Sequence, residues 1–294
     1  MVADRQADSQ AVQNRYVLRN RYVFRGKLVM QTALHIGGGR VTLSHSDSPV
    51  VLTPDQKPFI PGSSFKGALR STVEKMIPNL PGFSTCALIE LDEDALKEAR
   101  RGGQKICPTV RQGEITAKRR ANPERAEEIL QQAINDLCDT CLLFGSPFAA
   151  ARLNVNDLYI SSEEWSGIIQ TRDGVAIDRD TEKARDRLKY DFEVVPAGAT
   201  FDLEIVLENA GPKDVQLVCV GLSEFVHGFG VVGGKRSRGL GVSKLEELKV
   251  SILDLEVDEA TKRRRMRDYL VKGLFSDEAN GPQFLARQIE RIFE

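Results

Sequence analysis

The sequence predicts an α+β fold of the ferredoxin-like or RRM-like kind, and three observations carry that expectation. Segments with two-residue alternation and segments with helical spacing follow one another as strand, helix, strand, strand, helix, strand, the split βαβ order. Two irregular or basic interruptions, residues 79–150 and 166–195, fall between those elements and not inside them. The chain has 294 residues, 41% of them hydrophobic, which is enough for one large domain with insertions.

Residues 1–20 are polar, lack apolar periodicity and read as a flexible arm. In YVFRGKLVMQTAL, Tyr22 to Leu34, the residues Phe24, Leu28 and Met30 share one face, as in a half-buried strand. The next stretch, HIGGGRVTLSHSDSPVVLTPDQKPFIPG, is rich in glycine, serine and proline and predicts a long functional loop. Ser63 and Ser64 then offer N-cap oxygens to a helix running through Ile77, with Phe65, Leu69, Val73, Met76 and Ile77 as its apolar stripe and Pro78 as its stop. Lys66 and Arg70 fall on the opposite face of that helix.

Residues 79–150 read as an insertion, with four of the five cysteines and a charged helical stretch from Pro123 to Leu137. RLNVNDLYI predicts the second strand, and ATFDLEIVLEN the third, with Phe201, Leu203, Ile205 and Leu207 alternating. The basic excursion between them, Thr171 to Lys189, joins two strands and should project outward. DVQLVCVGLSEFVHGF has Val215, Val218, Leu222, Phe225 and Val226 at helical spacing, and GFGVVGGKRSRGLG leads from it into a last strand. Residues 21–250 form the main domain by this reading, and 251–294 a charged helical tail.

A formal net charge of −1 excludes a globally basic protein that binds any polyanion. The positive charge is local: it crowds Lys97 to Arg125, Arg172 to Lys189, and GGKRSRG at Gly233 to Gly239. Surface charge of this kind is usually just solvated, but the last two runs sit among turn residues, where binding is favoured. No apolar run approaches the roughly 18 residues of a membrane span, and the N-terminus has no apolar signal core. A cytoplasmic protein without membrane contact is expected.

Five cysteines in such a chain argue against a disulfide framework. Cys86, Cys107, Cys138 and Cys141 lie in one insertion, and the CDTC spacing puts two thiolates on one turn, as a tetrahedral zinc site requires. The alternative is four buried free thiols. Cys219 lies on the second helix and reads as core. HIGGGR lacks the GxGxxG order of a dinucleotide-binding turn, and GFGVVGGKRS has Gly234 where a P-loop needs lysine. What remains is a glycine loop able to approach phosphates beside Lys235, Arg236 and Arg238, or else a plain turn with surface charge. By local sequence alone Asp47 is an Asx-turn residue, His35 is a structural histidine, and none of the three histidines has a triad setting.

Six motifs in order change that reading: LHIGGG, SDSPV, PFIPGSSFKGALRSTVE, CDTCLLFG, GVAIDRDTEKA with its trailing FEVVPAGATF, and GGKRSRGLG. Over residues 22–250 the chain resembles the RAMP superfamily, most closely the repeated backbone subunit of type III CRISPR effector complexes. The resemblance implies an RRM-like palm, copies stacked along a guide RNA beside other RAMP subunits, and a thumb hairpin at 166–195 that splays the guide–target duplex. It also implies cutting of the complementary target RNA with Mg²⁺ or Mn²⁺ by the aspartate of a D-S/N-P-V loop, which maps onto Asp47. Guide contacts are then expected at His35, Gly37, Gly38, Ser63, Ser64, Lys66 and Arg70, at Arg172 and Arg179 of the thumb, and at Gly233, Gly234, Lys235, Arg236 and Arg238. Such contacts read backbone and leave sequence choice to base pairing. Three rival functions remain: a guide-binding scaffold that does not cut, a guide-processing ribonuclease using His35 and His45, and an adaptor whose basic insertion recruits a protein. The long N-terminal arm and the extension from Asp258 depart from a minimal family subunit.

Overall fold

Strand β1 (Asn20–Met30) is followed by the short β2 (Phe59–Ile60) and by helix α1 (Gly62–Met76) in the computed structural model, which describes residues 17–38, 46–89, 92–101, 106–161, 165, 167–177 and 184–294. The apolar stripe of α1 holds: Phe65, Leu69 and Val73 are fully buried, and Ile77 opens a 3-10 turn that contains Pro78. Its start differs from expectation. Pro61 is the N-cap, no side chain caps it, and Ser63 and Ser64 lie inside the first turn. The Gly62 N–H is taken instead by Asp157 Oδ1 at 2.7 Å, a partner 95 residues away that local reading cannot supply.

Helices α2 (Glu93–Arg101), α3 (Gln112–Ala121), α4 (Ala126–Asn135) and α5 (Asp139–Phe144) then precede β3 (Leu153–Val155) and β4 (Leu158–Tyr159). Around α4 and α5 lies a small apolar cluster of its own, with Cys107, Ile134, Leu137, Cys138, Cys141 and Ala149 buried together. β5 (Gln170–Ile177) and β6 (Ala184–Val194) pair only with each other, antiparallel, as a hairpin. β7 (Thr200–Glu208), α6 (Pro212–Val226), β8 (Gly230–Val231) and β9 (Val242–Asp254) follow. Pro212 opens α6, and Asp214 reaches back to the Gly211 N–H at 2.8 Å while holding Arg152 at 2.5 Å, which ties α6 to the chain entering β3.

The main sheet has the order β9-β1-β7-β3 with every pairing antiparallel, and its two faces differ. One is covered by α1 and α6, over Phe24, Leu28, Met30, Phe201, Leu203 and Ile205. The two helices approach closely at Gly221, where a Cβ would lie 2.6 Å from Leu69 and 2.8 Å from Val73. On the other face Arg21, Arg25 and Lys27 stand directly opposite Glu208, Glu204 and Asp202, each pair 2.5–2.6 Å apart. Opposite charges across a strand pair stabilise by about 0.2–1 kcal/mol each.

After β9 come α7 (Glu259–Lys272), β10 (Asp277–Asn280) and α8 (Gly281–Glu290). The expected helical tail at 251–294 therefore also contains a strand: β10 extends the sheet beyond β9. Nor is α8 peripheral, because Phe284 and Leu285 join the main core, with the Phe284 ring 6.3 Å from Phe24 and 6.4 Å from Tyr22. The segment DEAN has no apolar alternation, so an edge strand there is invisible to periodicity. The result is an α+β fold on an antiparallel sheet. Among the described residues no helix is long and apolar enough to cross a membrane.

Candidate nucleic-acid interface

Asp47 is exposed and sits on a short loop docked against β6. Its N–H donates to Asp191 Oδ1 at 2.7 Å, and the Ser46 hydroxyl donates to the same oxygen at 3.2 Å. In return the Asp191 N–H donates to Asp47 Oδ2 at 3.2 Å. Two residues along β6, on the same side of the strand, Glu193 Oε2 accepts the Val50 N–H at 3.0 Å, and the Glu193 N–H donates to the Ser48 carbonyl at 3.0 Å.

His35 lies beneath this loop, 6% exposed. Its Nδ1 is 2.7 Å from the Glu193 carbonyl, which can only accept, so Nδ1 carries the proton and in the neutral ring Nε2, 3.2 Å away, accepts from the Ser48 hydroxyl. Expected among the RNA contacts, His35 has both nitrogens committed inside the protein and props the loop from below. Gly38 is similarly engaged: its N–H donates to the Pro49 carbonyl at 3.0 Å, while Gly37 bridges Val50 and is exposed.

The glycine loop before β9 crosses the same end of the molecule. The Gly234 N–H donates to the His35 carbonyl at 2.9 Å. Gly233 has φ +86°, and a Cβ there would lie 2.5 Å from the same carbonyl oxygen, so no other residue fits without shifting backbone. Lys235 Nζ stands 4.4 Å from the Phe192 ring centroid and 5.0 Å from that of Tyr190, and the Arg238 guanidinium 5.5 Å from Tyr190. The two rings stack at 6.2 Å. Phe192 is buried and Tyr190 half-buried, so of the two rings only Tyr190 keeps surface that a base could share with the cations. Arg236, whose Nε donates to the Gly233 carbonyl at 3.0 Å, and Arg238 are exposed. Arg172 is exposed on β5 directly opposite Phe192.

One end of the molecule thus gathers Asp47, Arg172, the Gly233–Arg238 loop, and four β6 residues that sequence reading did not name as site residues: Tyr190, Asp191, Phe192 and Glu193. Their strict alternation of aromatic and acidic residues was the available signal, because it places two rings on one side of a strand and two carboxylates on the other. Other expected contacts fall elsewhere. Lys66 Nζ donates to the Leu153 carbonyl at 2.9 Å, and burial, with Arg70 nearby, pushes its pKa down. Arg70 donates to Glu74 at 2.8 Å, to the Gly145 carbonyl at 3.2 Å and to Cys141 Sγ at 3.4 Å. Both cations are turned into the protein, because neighbouring segments cover a helix face that periodicity alone marks as polar. Ser63 is exposed and Ser64 half-buried. Arg179, His45 and residues 1–16 lie outside the described residues.

The four insertion cysteines converge. Their Sγ atoms all lie within 4.8 Å of one another, with Cys86 and Cys141 at 3.6 Å. Tetrahedral zinc with bonds of about 2.3 Å places its sulfurs about 3.8 Å apart, so the donor set fits a Cys₄ site. Hydrogen bonds among the thiols split their acidities. The bond from Cys138 holds Cys107 below the ordinary range, whereas Cys107 pushes Cys86 and Cys141 up. Cys138, opposed by Cys107, is drawn down to about 6 by Cys141 and Cys86. Thiolates in such a pocket need a cation, and Arg70 supplies one. Cys219 stands apart, fully buried, its thiol pushed up by burial.

Comparison with known proteins gives two relatives. The chain is 24% identical over 284 residues to the CRISPR system Cms endoribonuclease Csm3 of Methanocaldococcus jannaschii, covering 90% of this chain and 91% of that one. A 54-residue segment, 17% of this chain and 25% of the relative, is 52% identical to the protein of the same name from Enterococcus italicus. The RAMP superfamily model matches residues 27–244, a span that runs from the end of β1 to the start of β9 and holds the cysteine cluster, the hairpin and both loops of the candidate interface, and the chain therefore belongs to the RAMP superfamily.

Proposed function

We propose that this chain is a guide-RNA-binding backbone subunit of a type III CRISPR effector complex and an endoribonuclease that cuts the target RNA paired to that guide. The observation that carries the reading is the convergence of an exposed aspartate and a basic glycine loop on the base of one hairpin, at one end of the molecule. The superfamily match and the similarity to endoribonucleases named Csm3 support it. In this reading residues 21–250 form a ferredoxin-like, RRM-like palm, interrupted by the 79–150 insertion and the 166–195 thumb. The sheet order β9-β1-β7-β3 with two helices on one face supports that assignment. The sheet itself runs from Asn20 in β1 to Asp254 in β9, and the C-terminal extension beyond it packs back through β10 and α8. Other RAMP subunits stack on either side, in a cytoplasmic setting where thiols stay reduced.

RNA runs over the hairpin base and not over the open sheet, whose face is occupied by cross-strand ion pairs. Lys235, Arg236, Arg238 and Arg172 neutralise phosphates, and the half-buried Tyr190 ring, backed by the buried Phe192, offers a stacking surface. The hairpin displaces one nucleotide, which lets its neighbour's 2′-hydroxyl align with the adjacent phosphate. Attack by that oxygen yields a cyclic phosphate and a 5′-hydroxyl. The exposed Asp47 carboxylate is a hard oxygen donor of the kind Mg²⁺ or Mn²⁺ takes, with RNA phosphate oxygens completing the set. Bound there, such an ion supplies charge stabilisation to the phosphate under attack. Zinc at Cys86, Cys107, Cys138 and Cys141 staples the insertion and takes no part in cutting.

The test is a complex reconstituted with one guide and given labelled complementary or unrelated RNA, with Mg²⁺ or with a chelator. Cuts at regular spacing, confined to complementary RNA and abolished by chelation, are expected. Binding without any cut would leave the scaffold reading.

A further inference from the structure

Two clamping bonds join the Asp47 loop to the hairpin through a single side chain, and nothing in the chemistry of cutting requires that arrangement. Asp191 Oδ1 receives both the Asp47 N–H and the Ser46 hydroxyl, and the Asp191 N–H binds Asp47 Oδ2. The contact is reciprocal, so the orientation of the Asp47 carboxylate is fixed by a residue of β6. Asp191 stands directly across the hairpin from Asp173 and one residue from the Tyr190 and Phe192 rings. A displacement of β6 that moves those rings must therefore move Asp47 with them.

We propose that Asp191 is a positioning residue for target cleavage, one that locks the loop carrying Asp47 to the thumb strand so that nucleotide displacement and the attacking geometry share one register. This rests on the reading of Asp47 as the cutting residue. What Asp191 supplies is an acceptor oxygen in a fixed place, not a charge. The distinction separates it from a metal ligand, because an amide oxygen can accept the same N–H. Misplacing a catalytic group by about 1 Å can cost about a hundredfold in rate, which sets the scale expected.

The experiment compares wild type, Asp47→Ala, Asp191→Ala and Asp191→Asn in the reconstituted complex under single-turnover conditions, across a Mg²⁺ series. Hydrogen exchange at residues 46–50 of the free chain is measured in parallel. Asp191→Ala should cut about 10- to 100-fold more slowly with guide and target binding unchanged, and the Asp47 amide should lose its protection. Asp191→Asn should restore both, with cutting within about threefold of wild type and an unchanged Mg²⁺ midpoint. If Asp191→Ala cuts at the wild-type rate while Asp47→Ala does not cut, the positioning role is overturned and the function stands. If Asp191→Asn is as slow as Asp191→Ala, or shifts the Mg²⁺ midpoint, Asp191 acts through its charge and the proposal fails. If Asp47→Ala cuts normally, the functional reading itself falls.

Discussion

Arg70 and Lys235 both lie over aromatic rings, yet they serve different ends. Arg70 is spent on protein acceptors and on Cys141, so Arg70→Ala should strand the half-buried Gly145 carbonyl and the buried Cys141 sulfur. A loss of about 1–3 kcal/mol in denaturant unfolding is expected, with the salt dependence of RNA binding unchanged. Lys235 reaches toward solvent across Phe192 and Tyr190, and Lys235→Ala should instead weaken RNA binding several-fold and lower the salt slope by about one, read by titration at several salt concentrations. Sequence periodicity could not separate these two residues, because it shows which helix face is polar and not which segment covers it. For His35 the local reading as a structural histidine agrees with its two internal hydrogen bonds, while the RNA contact comes from the family resemblance alone. Asp47 was visible only through that resemblance, Glu193 only as part of the FEVVPAGATF motif and without a role, and Asp191 had no assigned role, since their partners are more than 140 residues away.

Helices α1 and α6 and the strands between them were readable because each buries one periodic face. Of the residues that spacing picks out, Phe65, Leu69, Val73, Val218, Leu222 and Phe225 are fully buried and Ile77 and Val215 nearly so, while Met76 and Val226 at the helix ends are half-buried. The strand β10 and the docking of α8 were not readable, because an edge strand needs no apolar alternation and a ten-residue helix hides its contacts in tertiary structure. Phe284→Ala tests whether this end is integral: a cost of about 3–5 kcal/mol is expected by urea unfolding, whereas a loosely attached tail would cost almost nothing. The insertion has little core beyond its cysteines, so metal should carry much of its stability. Cys138→Ser should abolish bound zinc by elemental analysis and expose the 79–150 segment to protease, while Cys219→Ser should leave zinc unchanged.

At the scale of the whole molecule, a net charge of −1 is compatible with the proposed RNA binding because a local basic cluster, Lys235 and Arg238 among it, meets the hairpin base. The sheet's open face is neutralised by its own cross-strand pairs, which leaves other surfaces free for contacts between subunits. In the proposed reading binding and cutting share one region but use different residues, and one substitution separates them. The decisive measurement is the rate at which the assembled complex, carrying Asp47→Ala and otherwise intact, cuts a guide-complementary RNA in Mg²⁺, alongside its affinity for that RNA. Loss of all regularly spaced cuts with affinity unchanged is the expected result; cuts that persist at the wild-type rate would contradict it and place the nuclease in another subunit.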